Sequence, residues 1–101
     1  MAVRRKGRSN IVVNGRRFVW WVHQEREVRI ASDDKRFVVS YHWHDSPRLA
    51  VSGPDFPGIE PSEKRPVWLV PPTIAYRSPA GLVRQLITWA FSANRPLARD
   101  R

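Results

Sequence analysis

The sequence predicts an α+β fold: an antiparallel β-meander of four to six strands with one C-terminal α-helix packed on one face. Three observations carry this expectation. Residues 10–44 alternate apolar and polar side chains with a period of two, interrupted by turn-forming pairs. A stretch beginning at Ser78 repeats its apolar residues at helical spacing. The 101 residues, 42% of them hydrophobic, suit one core, since two cores would leave each near the lower size limit for unaided folding.

The first hairpin is the clearest element. Asn14-Gly15 separates Ile11-Val12-Val13 from the run Arg16–Val22. Asn-Gly favours a type I′ turn because both central residues take positive φ. A two-residue turn pairs Ile11 with Phe18 and places Phe18, Trp20 and Val22 on one face. The third strand, Glu25–Ala31, points Val28 and Ile30 inward and Glu27 and Arg29 outward. A turn at Asp33-Asp34 then pairs Ile30 with Phe37 and Val28 with Val39. In the fourth strand, Arg36–His44, Phe37, Val39, Tyr41 and Trp43 take the inward positions.

Asp45-Ser46-Pro47 ends that strand, and Leu49-Ala50-Val51 forms a short fifth. Residues 53–66 make a long Pro/Gly loop, longer than ordinary connections, with Phe56 and Ile59 available to pin it. Val67–Val70 reads as an edge strand closed by Pro71-Pro72. Ser78 is a good N-cap, and Pro79 suits the first helical position, where its missing N–H costs nothing. The helix extends to about Ala93, ahead of Asn94 and Pro96. Its apolar residues, Trp89 and Phe91 included, cover roughly 200° of the helical wheel. The domain is therefore expected over residues 10–94, with basic tails at 1–9 and 95–101. In the order of its elements, meander then helix, the chain is similar to coactivator-type single-strand DNA-binding domains; the likeness is one of topology, and no residue is carried over from it.

The chain holds 18 Lys+Arg against 9 Asp+Glu, a formal net charge of +9. Residues 1–8 contain four cations and no anion, and residues 95–101 contain three arginines against Asp100, which leaves +3 for residues 9–94. Arginine supplies 15 of the 18 cations, and its planar fork matches phosphate and stacks on aromatic rings. No apolar run approaches the roughly 20 residues of a membrane-spanning helix. With no cysteine there is no disulfide, thiolate nucleophile or Cys-ligated zinc. The basic start lacks the apolar stretch of a secretory signal, so a cytoplasmic protein with no membrane partner is expected.

The outward face of the sheet carries the strongest functional pattern. Arg17, Trp21, Arg29 and Arg36 share it, and an aromatic flanked by arginines suits the stacking of single-stranded nucleic acid. Arg4, Arg5, Lys6 and Arg8 in the N-terminal tail would add sequence-independent phosphate contacts. Against this, Trp–Arg pairs also stabilise sheets for their own sake, and Glu25 and Glu27 interrupt the basic face. His42 and His44 lie on one side of the fourth strand with His23 nearby, a metal set in principle, although the strand spacing suits it poorly. Ser40, His42 and Asp45 are close in sequence without the spatial order that a catalytic triad needs. No Gly-rich phosphate loop or nucleophile elbow is present.

The expectation is a small non-catalytic binding module without a cofactor, with single-stranded nucleic acid as its partner. The alternative is a protein-interaction or self-associating domain using the edge of the helix stripe and the Pro-rich loop. A third reading is a metal-dependent enzyme around His42 and His44.

Overall fold

The structure is a computed structural model and describes residues 7–43, 46–75, 77–92 and 97–100. Every strand pairs antiparallel with the one before it. The strands are β1 Ser9–Val13, β2 Arg16–His23, β3 Glu27–Ser32, β4 Val38–His42, β5 Arg48–Val51, β6 Val67–Val70 and β7 Ala98–Arg99. They form one seven-stranded sheet in chain order. The helix α1, Pro79–Ala90, lies between β6 and β7 in sequence and packs on one face of the sheet. The α+β meander with a C-terminal helix is thus the fold of the chain, with one strand more than the four to six expected.

The turns follow from their residues. Asn14 and Gly15 have φ of 52° and 78°, and the register pairs Val13 with Arg16 and Ile11 with Phe18. Between β2 and β3 the turn has three residues, with Gln24 and Glu25 at positive φ and the Arg26 amide donating to the His23 carbonyl at 3.1 Å. That length sets Trp20 against Ile30 and Trp21 against Arg29.

The next turn corrects the expected register. Ser32 and Phe37 bracket a four-residue loop, so Ile30 pairs with Val39 and Val28 with Tyr41, two residues away from the Asp33-Asp34 expectation. The cause is a side-chain cap. Ser32 Oγ donates to Asp34 Oδ1 at 2.5 Å, the Arg36 amide donates to the same oxygen at 3.1 Å, and the Phe37 amide donates to Ser32 Oγ at 3.0 Å. Because the slip is an even number, every side chain keeps its face. Arg36 lies in this loop rather than in β4.

The core sits between the inner face of the sheet and α1. Phe18, Ile30, Leu49 and Leu69 on the strands and Leu82, Val83 and Ile87 on the helix are almost fully enclosed. Ser78 caps the helix by accepting from the Gly81 amide at 3.1 Å. The wide apolar stripe of α1 is explained by the loop of residues 52–66. Phe56 and Ile59 are buried at 3% and 5% exposure, and the Phe56 ring meets Trp89 edge-on at 6.2 Å. Phe91 packs on Phe37 and Phe18, with centroids at 5.1 and 6.5 Å. The helix is therefore covered on two sides, and among the described residues the exposed large apolar ones are Val12, Val22, Trp43 and Val70, none of them on α1.

Val22 and Trp43, expected inward, are 42% and 36% exposed. Both line a hollow of about 160 Å³ with Pro79 and Leu82 at the start of α1. The described helix ends at Ala90, and the expected extension to Ala93 lies outside the described residues. Beyond it, where the sequence reading places a tail, Leu97 packs on the core and Ala98–Arg99 pair with β6. Arg99 is ion-paired with Glu63 in the long loop, which fastens β7 to its neighbour.

Gly53 holds that loop against β4. The amides of Ser52 and Gly53 donate to the Val38 carbonyl at 2.9 and 3.2 Å, and the Asp55 amide donates to the Arg36 carbonyl at 2.8 Å. A Cβ at position 53 would overlap the Arg36 carbonyl oxygen and stand 2.7 Å from the Val38 amide nitrogen. Only glycine admits this approach. Among the described residues no helix is long and apolar enough to cross a membrane.

Candidate functional site

The face of the sheet away from α1 is open, and its register organises it. Trp21 on β2 pairs with Arg29 on β3, Arg29 with Ser40 on β4, Ser40 with Ala50 on β5, and Ala50 with Trp68 on β6. One transverse row thus has an indole at each end and small side chains toward the middle. Four inter-strand steps separate the indoles by roughly 19 Å along the sheet surface. Between them lies a concavity of about 420 Å³, lined by both tryptophans and by Arg29, Ser40, Ala50 and Pro66 among others. Small residues at the centre and large ones at the rims make the groove; the strands themselves are ordinary.

Each rim indole carries an arginine. The Arg8 guanidinium carbon stands 4.2 Å from the Trp21 ring centre, and that of Arg48 stands 4.9 Å from the Trp68 ring. His42 lies against Trp68 as well, with the ring centres 5.2 Å apart. Each rim indole is thus packed by at least one cationic or imidazole side chain.

A polar cluster occupies the floor around Glu27. Ser40 Oγ donates to Glu27 Oε1, Arg29 Nε and Nη2 donate to its two oxygens at 3.3 and 3.4 Å, and His42 Nε2 stands 3.4 Å from Oε1. Burial pushes the Glu27 carboxyl up, but the hydrogen bonds from Ser40 and Arg29, with the charges of His42 and Arg29, outweigh it and hold the group below its ordinary value. For His42 burial dominates and lowers the value, aided by Arg48 and Arg29 and opposed by Glu27. The lowered value of His42 favours the neutral imidazole beside the Glu27 carboxylate, which weakens the ion pair between them. Ser40 and His42 both address the carboxylate rather than each other, so their arrangement differs from a serine–histidine relay. Arg29, paired with Glu27, lines the groove with its side chain 42% exposed.

The remaining sequence-predicted residues distribute as follows. Trp21 and Arg29 line the groove, and Arg8 joins them through Trp21. Arg17 is on the same face but at the far end of β2, exposed and 3.6 Å from Asp33. Arg36 is exposed in the β3–β4 loop and does not line the groove. Arg4, Arg5 and Lys6 lie outside the described residues, as do His44 and Asp45. Among the described residues no three His, Asp or Glu side chains converge on a point that could hold a metal ion.

Sequence reasoning missed Trp68, Arg48 and the organising position of Glu27. Trp68 sits in Val67-Trp68-Leu69-Val70, an all-apolar run in which alternation gives no face. The available signal was Ala50: a small residue between Leu49 and Val51 leaves room for a large neighbour, which the β5–β6 register supplies. Comparison with protein-family models, with curated protein sequences and with solved structures finds no match to this chain.

Proposed function

We propose that the chain is a non-catalytic binding module that takes single-stranded nucleic acid across the outer face of its sheet, and that it works in the cytoplasm. Trp21 and Trp68 stack bases at the two rims, Arg8 and Arg48 neutralise phosphates beside them, and Arg29 and His42 offer donors to what lies between. The observation that carries the reading is the transverse row, with stacking surfaces at both ends and a floor kept low by Ser40 and Ala50. Every base has a π-face, so such a groove tolerates sequence. The +9 charge supplies long-range attraction, and Arg4, Arg5 and Lys6 extend it as phosphate contacts at the N-terminal end. The cytoplasmic setting is supported by the cysteine-free composition, which needs no oxidising compartment.

A fluorescence titration with a ten-residue oligothymidylate tests this. Stacking on Trp21 and Trp68 quenches tryptophan emission. With about four to six phosphates neutralised, the logarithm of the affinity falls against the logarithm of salt with a slope of roughly −3 to −4. Unchanged emission, or an affinity indifferent to salt, overturns the reading.

One observation favours the protein-interaction alternative. Val22 and Trp43 are exposed around the hollow at the start of α1. Concentration-dependent light scattering that disappears in Trp43→Ser would support it over the groove.

A further inference from the structure

We infer that His42 makes the groove sensitive to protons, so that single-stranded nucleic acid binds more tightly as the imidazole gains charge. The inference rests on the nucleic-acid reading above and adds to it the regulation of that site.

The geometry is a second transverse row, two residues along the strands from the row that bears the tryptophans. His23 on β2 pairs with Glu27 on β3, Glu27 with His42 on β4, and His42 with Arg48 on β5. The period of two keeps this row on the same outer face. His23 stands at its far end, outside the concavity, whereas Glu27 and His42 line it. Among the described residues of that lining, Glu27, Arg29 and His42 are the ones that carry or can take a charge. With a neutral imidazole, Glu27 and Arg29 cancel. With a protonated one, the floor of the groove becomes positive.

His42 is set between influences that oppose its charge and influences that favour it. Burial disfavours the cation most. From β3, the Glu27 carboxylate stands 3.4 Å from Nε2 and favours it, while Arg29 opposes it. From β5, Arg48 opposes it as well. From β6, the Trp68 ring, 5.2 Å away between centres, offers its π-face to a charged imidazole. In the free chain the neutral form is favoured. A phosphate backbone crossing this rim adds negative charge where Arg48 already lies over the indole. His42 packs on the same ring, well inside a Debye length of about 10 Å at 0.1 M salt. Binding therefore takes up a proton, and by linkage a lower pH strengthens binding. The imidazole is partly exposed in the groove, so this needs no rearrangement of the fold.

Two measurements test this. The same oligothymidylate is titrated into the parent chain, His42→Gln and His23→Gln from about pH 8 to about pH 5.5, a range in which thymine and the phosphodiester keep their charge, with circular dichroism as the check on folding. Affinity in the parent chain is expected to rise about tenfold as the pH falls over that range, and less at high salt. His42→Gln loses the rise, and His23→Gln retains it. A flat profile in a parent chain that quenches at pH 8 overturns the inference and leaves the groove reading standing. A rise that survives in folded His42→Gln, or that His23→Gln removes instead, overturns the assignment to His42. In the parent chain, which needs no substitution to fold, the ¹³Cε1–¹H signal of His42 titrates with a midpoint that moves to higher pH when the oligonucleotide is present. A midpoint that stays in place at saturation also overturns the inference. If the parent chain does not quench at any pH, the groove reading fails, and this inference with it.

Discussion

The two faces of one sheet use their side chains in opposite ways. On the inner face, large apolar residues from every strand but the last meet α1 and the 52–66 loop, and space is filled. On the outer face the centre holds Ser40 and Ala50, the bulk stands at Trp21 and Trp68, and space is left. Both faces obey the same period of two, so the difference lies in residue size and not in pattern. Packing rewards a volume that matches its surroundings, whereas a groove requires a volume withheld where neighbours would allow more. The inner face is where the chain gains stability; the outer face is where it can meet something else.

The largest test of that contrast is on the inner face. Phe37 is 1% exposed and packs on Phe18, Phe56 and Phe91. Phe37→Ala is expected to cost about 3–5 kcal/mol, read as a lowered denaturant midpoint, with oligonucleotide affinity unchanged in whatever fraction remains folded. Next comes the outer face. Trp21→Ala and Trp68→Ala are each expected to reduce binding by about 1–3 kcal/mol while moving the unfolding midpoint far less than Phe37→Ala does. If Trp68→Ala unfolds the protein and leaves affinity intact, the two faces do not divide in this way.

A smaller effect is set by pH. His42 is held below its ordinary value in the fold, so the unfolded chain takes up a proton first, and stability declines as pH falls below about 6.5. Glu27 is also held below its ordinary value, and its contribution is lost at more acid pH, below about 4.5. Thermal melts from pH 8 to pH 5 should show a gentle fall that His42→Gln flattens. A flat parent profile would mean that the outer-face cluster is not coupled to folding.

How far the sequence discloses this depends on how local the determinant is. Asn14-Gly15 names its own turn, and Ser78-Pro79 its own helix start, because a few adjacent residues decide each. The β3–β4 loop is longer than Asp33-Asp34 suggests, since the Ser32 hydroxyl and the Asp34 carboxylate cap amides that aspartate turn preference alone does not reveal. Trp68 escapes because its face is decided by pairing with Ala50, eighteen positions earlier, across a loop that the sequence does not trace. Trp21, Arg29 and the side of the sheet they occupy are legible; the opposite rim of the groove is not. Val22 and Trp43 mislead for a related reason, because alternation assigns a face but not how far a helix reaches along it.

One edge of the sheet has a consequence for solubility. β1 is bordered by β2 alone, and its Ser-Asn-Ile-Val-Val sequence has no charge, proline or bulge to discourage another strand from joining. The residues directly ahead of it, Arg4, Arg5, Lys6 and Arg8, bring four like charges to any two chains that try to pair there. On the proposed reading the basic segment would act as a gatekeeper in addition to attracting polyanions, and salt would weaken both roles. Deleting residues 1–8 should raise light scattering at high protein concentration, and raising salt on the parent chain should do the same to a lesser degree. A truncated chain that stays monodisperse would show that the edge is guarded by something other than charge.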